Sequence, residues 1–193
     1  NDLKLLYGGR LNIIIDDALD YPIWELGETP RQIIANLPYN VGTKMLIKWL
    51  RHIQSFDLLT LMFQKEVADR IIAEFNTSNY GRLSILSNWK LNIKKICDIK
   101  PEAFSPKPKI DSTLLFFYPK KHFVKIKNPH SLEKITRIFF NQRRKMLKKP
   151  FNQLFNGDKN VLDKLEIDLT LRPQNINLET YYKLACEYEK LGS

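Results

Sequence analysis

Cysteine is nearly absent. Cys97 and Cys186 stand far apart, with neither a CxxC step nor a Cys/His ligand spacing. That excludes a disulfide framework and a thiolate zinc site. Both are read as reduced core thiols of a cytoplasmic protein, and no metal is expected. Glycine is scarce as well: the seven glycines, at 8, 9, 27, 42, 81, 157 and 192, include no GxG pair. No segment therefore has the form of a glycine-rich loop that cradles a nucleotide. No stretch of 18 apolar residues occurs, which excludes a membrane-spanning helix. The opening Asn1-Asp2-Leu3-Lys4 has the form of neither a signal peptide nor an arginine-rich transit segment. Internal repeats and low-complexity tracts are missing too.

Acidic residues run short in one part of the chain only. Up to Pro119 there are 15 Lys+Arg against 13 Asp+Glu, and from Lys120 onward 16 against 8. Nearly all of the +10 net charge thus sits in the tail. Such asymmetry points to a polyanion, because a cation placed near a phosphate releases condensed counterions. Charge alone does not separate RNA from DNA. What is plentiful is apolar: 44% of residues are hydrophobic and 11% aromatic, enough for a packed core.

Periodicity divides the chain at about the same place. Residues 2–6 read as the end of a helix closed by Gly8-Gly9. Residues 11–15 (LNIII), 31–35 (RQIIA) and 57–63 (DLLTLMF) read as strands, the first ending in Asp16-Asp17-Ala18 and the second at Asn36. Residues 43–53 and 66–75 carry helical spacing. Strands alternating with helices predict a parallel sheet covered on both faces. A helix then begins near Tyr80, and residues 89–99 and 112–118 read as an antiparallel pair around the proline-dense Phe104-Ser-Pro-Lys-Pro-Lys-Ile-Asp111. Beyond Lys120 only helices are expected, over 131–141, 143–155, 161–165 and 178–191. The predicted organisation is an α/β core over 1–119 and a small all-helical domain over 120–193.

One short motif carries a definite chemistry. Asn36-Leu37-Pro38-Tyr39-Asn40 lies just past the carboxyl end of an apolar strand, the edge where open α/β sheets bind ligands. An exocyclic adenine amine is a poor nucleophile because its lone pair is delocalised into the ring. The Asn36 side-chain oxygen and a main-chain carbonyl near Leu37-Pro38 would each accept one N–H, holding the amine towards tetrahedral geometry. Proline fixes φ and donates no hydrogen bond. Tyr39 would stack on a base drawn out of its helix, an interaction worth roughly 1–3 kcal/mol. Taken alone, the motif also suits an ordinary turn.

Four stretches in order make it specific: Asp17-Ala18 after a strand; Asn36 to Asn40; Phe63-Gln-Lys-Glu-Val-Ala-Asp-Arg70 with Tyr80-Gly-Arg-Leu83; and Phe104 to Ser112. A fifth, Phe140-Asn-Gln-Arg-Arg-Lys145, falls in the tail. Together they resemble the ribosomal RNA adenine dimethyltransferase family, the KsgA-type enzymes of small-subunit rRNA, over essentially the whole chain. The resemblance implies a Rossmann-like S-adenosylmethionine-dependent methyltransferase core with a helical RNA-binding domain. It also implies dimethylation of two adjacent adenosines in the 3′-terminal rRNA hairpin, with the immature small ribosomal subunit as partner and a monomeric enzyme. Carried onto matching positions, Asp17 and Ala18 meet the cofactor's adenine, and Asn36 lies between cofactor and target amine. Leu37 and Pro38 complete the catalytic turn, and Tyr39 and Phe104 sandwich the base.

The basic residues divide by context. Lys107 and Lys109 flank the expected pocket, and Arg143, Arg144, Lys145, Lys148 and Lys149 outnumber any acidic partners nearby; all are candidates for RNA contact. Lys65, Glu66 and Arg70 suit helix pairing and RNA contact equally. The chain departs from the family in lacking the Gly-rich loop and the acidic residue that ends the family's second strand. It therefore reads as beginning in the helix after that strand, with the methionine and ribose half of the cofactor site elsewhere. Two other readings stay open: a related large-subunit rRNA adenine methylase, and a non-catalytic RNA-binding assembly factor. A DNA adenine methylase would more usually have Pro-Pro-Tyr after its Asp or Asn, and Leu37 counts against it.

Overall fold

The computed structural model describes residues 6–191, so the helix expected over 2–6 falls almost wholly outside them. The first part of the chain forms β1 (Gln32–Asn36), α1 (Gly42–Trp49), β2 (Leu58–Gln64), α2 (Lys65–Ile71), α3 (Arg82–Lys90), β3 (Leu91–Ile99) and β4 (Ser112–Pro119). The strands make one sheet in the order β1-β2-β4-β3. β1 and β2 are parallel, with Asn36 opposite Met62. β4 runs against both its neighbours, its first residue Ser112 lying opposite Gln64 of β2 and Ile99 of β3. The start of β4 and the ends of β1 and β2 therefore share one edge.

Alternation explains the central strand. Leu59, Leu61 and Phe63 of β2 are buried, while Thr60 and Met62 on the other face are only half-buried. The expectation of a parallel sheet covered on both faces is corrected accordingly. Among the described residues the β1–β2 pair is parallel and the pairs of β4 with β2 and β3 are antiparallel, and Ile34 of β1 is 79% exposed. The strand expected over residues 11–15 does not form either. No strand lies beside that segment among the described residues, and Ile15 is 96% exposed. A β-branched run favours the extended backbone, but a strand also needs a neighbour to take its amides and carbonyls. Cys97, expected in the core, is exposed. A register shift between Lys95 and Cys97 breaks the alternation of β3 there.

The tail is helical as expected: α4 (Pro129–Asn141), α5 (Lys148–Phe155), α6 (Lys159–Leu165) and α7 (Leu178–Lys190). Three starts are capped by side chains, Asn128 accepting from the His130 amide, Asp158 from Asn160 and Asn177 from Thr180. α5 starts five residues later than the 143–155 pattern suggested. Pro150 would break the interior of the longer helix, whereas a start at Lys148 puts it in the first turn, where no amide is needed. Gln142 to Met146 are instead a turn, and the buried Leu147 donates its amide to the Leu171 carbonyl at 2.9 Å.

A single apolar cluster runs from Leu37 through Trp49, Ile85 and Trp89 to Phe139, Tyr181 and Ala185, crossing the Pro119/Lys120 junction. Two buried donors stitch the junction. The Trp89 indole donates to the Val124 carbonyl at 2.8 Å, and the Tyr182 hydroxyl to the Ile85 carbonyl at 3.1 Å.

The β3–β4 end is pinned electrostatically. Asp98 accepts from the Thr113 hydroxyl at 2.6 Å and from Lys95 at 2.8 Å, with Lys65 at 3.4 Å. The hydrogen bonds from Lys95 and Thr113 hold the Asp98 carboxyl well below the usual carboxylate range. A carboxylate held low in the folded chain adds stability above its unfolded value of about 3.9, and loses it as pH falls through the folded value. Asp98→Asn is expected to lower Tm at neutral pH by roughly 2–4 °C. The gap from the unaltered protein closes progressively in acid. Thermal melts across pH check this, and a gap that stays constant into strong acid contradicts it.

Candidate active site

Asn36 ends β1 exposed at the shared edge, and the chain turns there at once into α1. Leu37 plunges into the core at 3% exposure and fixes the turn. The Pro38 carbonyl accepts from the amides of Val41 at 3.1 Å and Gly42 at 2.9 Å, opening the helix. The Pro38 carbonyl is thus occupied at the start of α1. Gly42 is needed for close approach: a Cβ there would lie 3.1 Å from the Leu37 Cβ and 3.4 Å from the Phe63 ring.

Tyr39 is 41% exposed, and its hydroxyl lies 3.1 Å from Ser112 Oγ. Across from it stands the half-buried Phe104. Asn36, Leu37, Pro38, Tyr39, Phe104, Pro106 and Pro108 line one open cavity of about 260 Å³. The fold thus gathers residues some seventy positions apart in sequence into a flat, aromatic- and proline-walled slot with polar acceptors at one end. Its lining holds no Asp, Glu, His, Cys, Lys or Arg. Among the described residues no cluster of His, Cys, Asp or Glu could hold a metal ion.

Asp17 and Ala18 are not in that lining. Asp17 forms an exposed turn in which its Oδ1 accepts from the Leu19 amide at 2.8 Å, and its carbonyl accepts from Asp20 and Tyr21, both at 2.9 Å. One carboxylate oxygen is thereby committed to the turn and the other remains open to solvent. Lys48 of α1 ties this turn down, donating to the Leu19 carbonyl and pairing with Asp20 at 3.7 Å. The Asp17 turn and the Asn36 motif are therefore braced by the same helix.

The candidate cations separate into three places. Lys107 pairs with Glu102 at 2.5 Å, whereas Lys109 makes no ion pair among the described residues. Arg143 is half-buried, donates to the Thr77 carbonyl at 3.3 Å, and faces a cleft of about 470 Å³ that it shares with Arg70, Arg82, Thr43 and Phe140. Arg144, Lys145, Lys148 and Lys149 line a second groove, of about 910 Å³, with Met146 and Arg172. Sequence reasoning missed Arg82 and Arg172 as groove cations, and Ser112 as Tyr39's partner. Arg82 and Ser112 both lie inside stretches quoted for the family likeness. Arg172 had only its place beside Pro173 to mark it.

Comparison with known proteins gives one consistent picture. The family description "Ribosomal RNA adenine dimethylase" matches residues 2–190. A ribosomal RNA small subunit methyltransferase A from Pelagibacter ubique is 59% identical over 192 residues, covering 98% of this chain and 73% of that protein. A protein of the same name from Rhodospirillum rubrum is 40% identical over 192 residues, covering 100% and 66%. Among solved structures, a dimethyladenosine transferase from Plasmodium falciparum superposes with a TM-score of 0.81 at 27% identity, over 99% of this chain and 77% of that one. The 23S rRNA methyltransferase ErmE, at TM-score 0.64 and 16% identity over 100% and 77%, shares the fold.

The grooves are separable by salt. Arg144→Ala and Arg172→Ala, both in the larger groove, are each expected to reduce the slope of log K against log salt for an RNA hairpin by about 0.7. Lys183→Ala, whose cation is paired with Glu179 at 2.8 Å on α7, leaves the slope unchanged. Fluorescence anisotropy over a salt series measures both, and equal slopes for all three variants would remove the groove from the interface.

Proposed function

Because this chain belongs to the ribosomal RNA adenine dimethylase family, we propose that it dimethylates the exocyclic amines of two adjacent adenosines in the 3′-terminal hairpin loop of small-subunit rRNA. The observation that carries this reading is the slot of Asn36, Leu37, Pro38, Tyr39 and Phe104 at the sheet edge. An extruded adenine fits between Tyr39 and Phe104, its ring faces against theirs. Its amine then donates one hydrogen to the Asn36 side-chain oxygen and the other to the Leu37 carbonyl. Holding both N–H bonds towards tetrahedral geometry takes the nitrogen lone pair out of conjugation with the ring and aims it at the methyl donor. The methylated amine is strongly acidic and releases its proton to water, so a lining without a carboxylate or a histidine is no obstacle.

The methyl donor is proposed to be S-adenosylmethionine, which supplies an electrophilic methyl on a sulfonium sulfur. Asp17 fits its adenine end, since the carboxylate oxygen not committed to the Leu19 amide can accept an amine hydrogen. Ala18 adds a small apolar neighbour, and Asn36 stands where donor and acceptor would meet. Residues 1–119 are proposed as the catalytic core and 120–193 as the helical RNA-gripping part, working as a monomer on the immature small subunit in the cytoplasm. Among the described residues no helix is long and apolar enough to cross a membrane. Arg143 in one groove, Arg144, Lys145, Lys148 and Lys149 in the other, and Lys109 near the slot would contact phosphates. Lys107 would join them only by exchanging its exposed partner Glu102, and a solvent-exposed pair of this kind contributes little.

Asn36→Ala tests the assignment. It is expected to lower methyl transfer to immature small subunits at least about 100-fold, by analogy with loss of one preorganised electrostatic contact, while RNA affinity stays within twofold or so. Labelled-methyl transfer and binding measured on the same preparations decide it. Unimpaired transfer contradicts the mechanism, and RNA binding with no transfer by the unaltered protein supports the assembly-factor reading instead.

A further inference from the structure

We infer that Ser112 is a positioning residue for the proposed reaction, fixing through Tyr39 the gap into which the target adenine is stacked; this rests on the function proposed above. Ser112 is fully buried, yet its hydroxyl meets the partly exposed Tyr39 hydroxyl at 3.1 Å. The same residue closes the Phe104-to-Asp111 loop and opens β4. One wall of the slot is thus joined to Ser112 through the chain, and the other through a hydrogen bond.

The surroundings of Ser112 leave its hydroxyl little freedom. On its amino side, the Asp111 carbonyl accepts from the Lys65 amide at 2.9 Å, and the Asp111 carboxylate takes Lys100 at 2.6 Å. On its carboxyl side, the Thr113 hydroxyl donates to Asp98 at 2.6 Å. In the sheet, Ser112 sits between Gln64 and Ile99. A side chain held from both flanks and both neighbouring strands is a rigid post.

Tyr39 needs such a post. It lies in the exposed turn between β1 and α1, and its hydroxyl has no other partner among the described residues. A phenol tethered at its far end is restrained from swinging about its Cα–Cβ bond, so the cavity it lines with Phe104 keeps its width before any base arrives. The tether stabilises the stacked arrangement by removing the entropy cost of ordering the ring on binding. Ser112 touches no substrate and acts only through Tyr39.

A double-mutant cycle tests the inference, with Ser112→Ala removing the post and Tyr39→Phe removing the hydroxyl from the solvent side without disturbing β4. Each is expected to lower kcat about three- to tenfold, with KM for the RNA little changed because the phosphate contacts remain. The double variant is expected to be no worse than either single one. A hairpin carrying a fluorescent adenine analogue at the target position gives a second readout. Its emission is quenched on stacking by the unaltered protein, and each single variant is expected to quench less while its Tm stays near that of the unaltered protein. Multiplicative losses in the cycle, or full quenching by both single variants, overturn the tether and leave the proposed function standing. Failure of the unaltered protein both to quench the analogue and to transfer methyl groups overturns the function and the tether together. Should Ser112→Ala not fold, Tyr39→Phe alone decides: unchanged kcat and full quenching overturn the inference.

Discussion

Strand β4 enters the sheet between β2 and β3 running against both, and the geometry of the candidate site follows from that direction. Had β4 run parallel to β2, the proline-dense loop before it would emerge at the opposite edge from Asn36. Antiparallel pairing brings the end of that loop to where β1 and β2 finish, so Phe104 and Tyr39 line one cavity. The short step from β3 to β4 makes this the natural pairing, since antiparallel neighbours need only a short connection and parallel ones a crossover. Everything proposed for the slot depends on the register that sets Ser112 opposite Gln64.

The slot is arranged for a reaction that asks for positioning rather than proton transfer. Its lining is Asn36, Leu37, Pro38, Tyr39, Phe104, Pro106 and Pro108, with no acid, histidine, cysteine, lysine or arginine among them. The cations lie outside it. The larger groove carries Arg144, Lys145, Lys148, Lys149 and Arg172, and the smaller one Arg70, Arg82 and Arg143. Phosphate attraction can then orient the RNA without placing a positive charge where a sulfonium donor would have to bind.

Much of this was legible in the residues, and two of the exceptions share a cause. β1, β2 and the β3–β4 pair were readable because their apolar residues alternate or run together against a core. Residues 11–15 are as strand-like in composition, but composition does not provide the neighbouring strand that a ladder requires. The 143–155 pattern carried helical spacing, and Pro150 was the local signal that moved its start to Lys148. Cys97 reads as a core thiol because no ligand or disulfide spacing surrounds it, and a register shift invisible in the sequence breaks the alternation where it lies exposed. The motif showed that a carbonyl near Leu37-Pro38 would serve. The choice of Leu37 in the proposed function rests on the Pro38 oxygen being occupied at the start of α1. For residues 11–15 and for Cys97 tertiary pairing decided, and local pattern does not contain it.

The junction between the sheet and the helical tail bears on how the RNA grooves relate to the slot. Lys90, the last residue of α3, donates to the Leu50 carbonyl at 3.2 Å and lies over the rings of Trp89 and Phe123 at 4.3 and 5.3 Å. Lys120 donates to the Asn88 carbonyl at 2.7 Å, and its own amide donates to the Lys90 carbonyl at 2.8 Å. Burial lowers the pKa of both lysines. Two cations at the end of α3 meet the negative end of its dipole and satisfy carbonyls that would otherwise be buried unpaired. With the apolar cluster continuous across the same junction, a hinge there would have to expose Trp89 and separate these bonds. The tail is consequently held in fixed relation to the sheet. On the proposed function, an RNA hairpin bound to the cations of the tail would meet the slot at a distance that the protein sets.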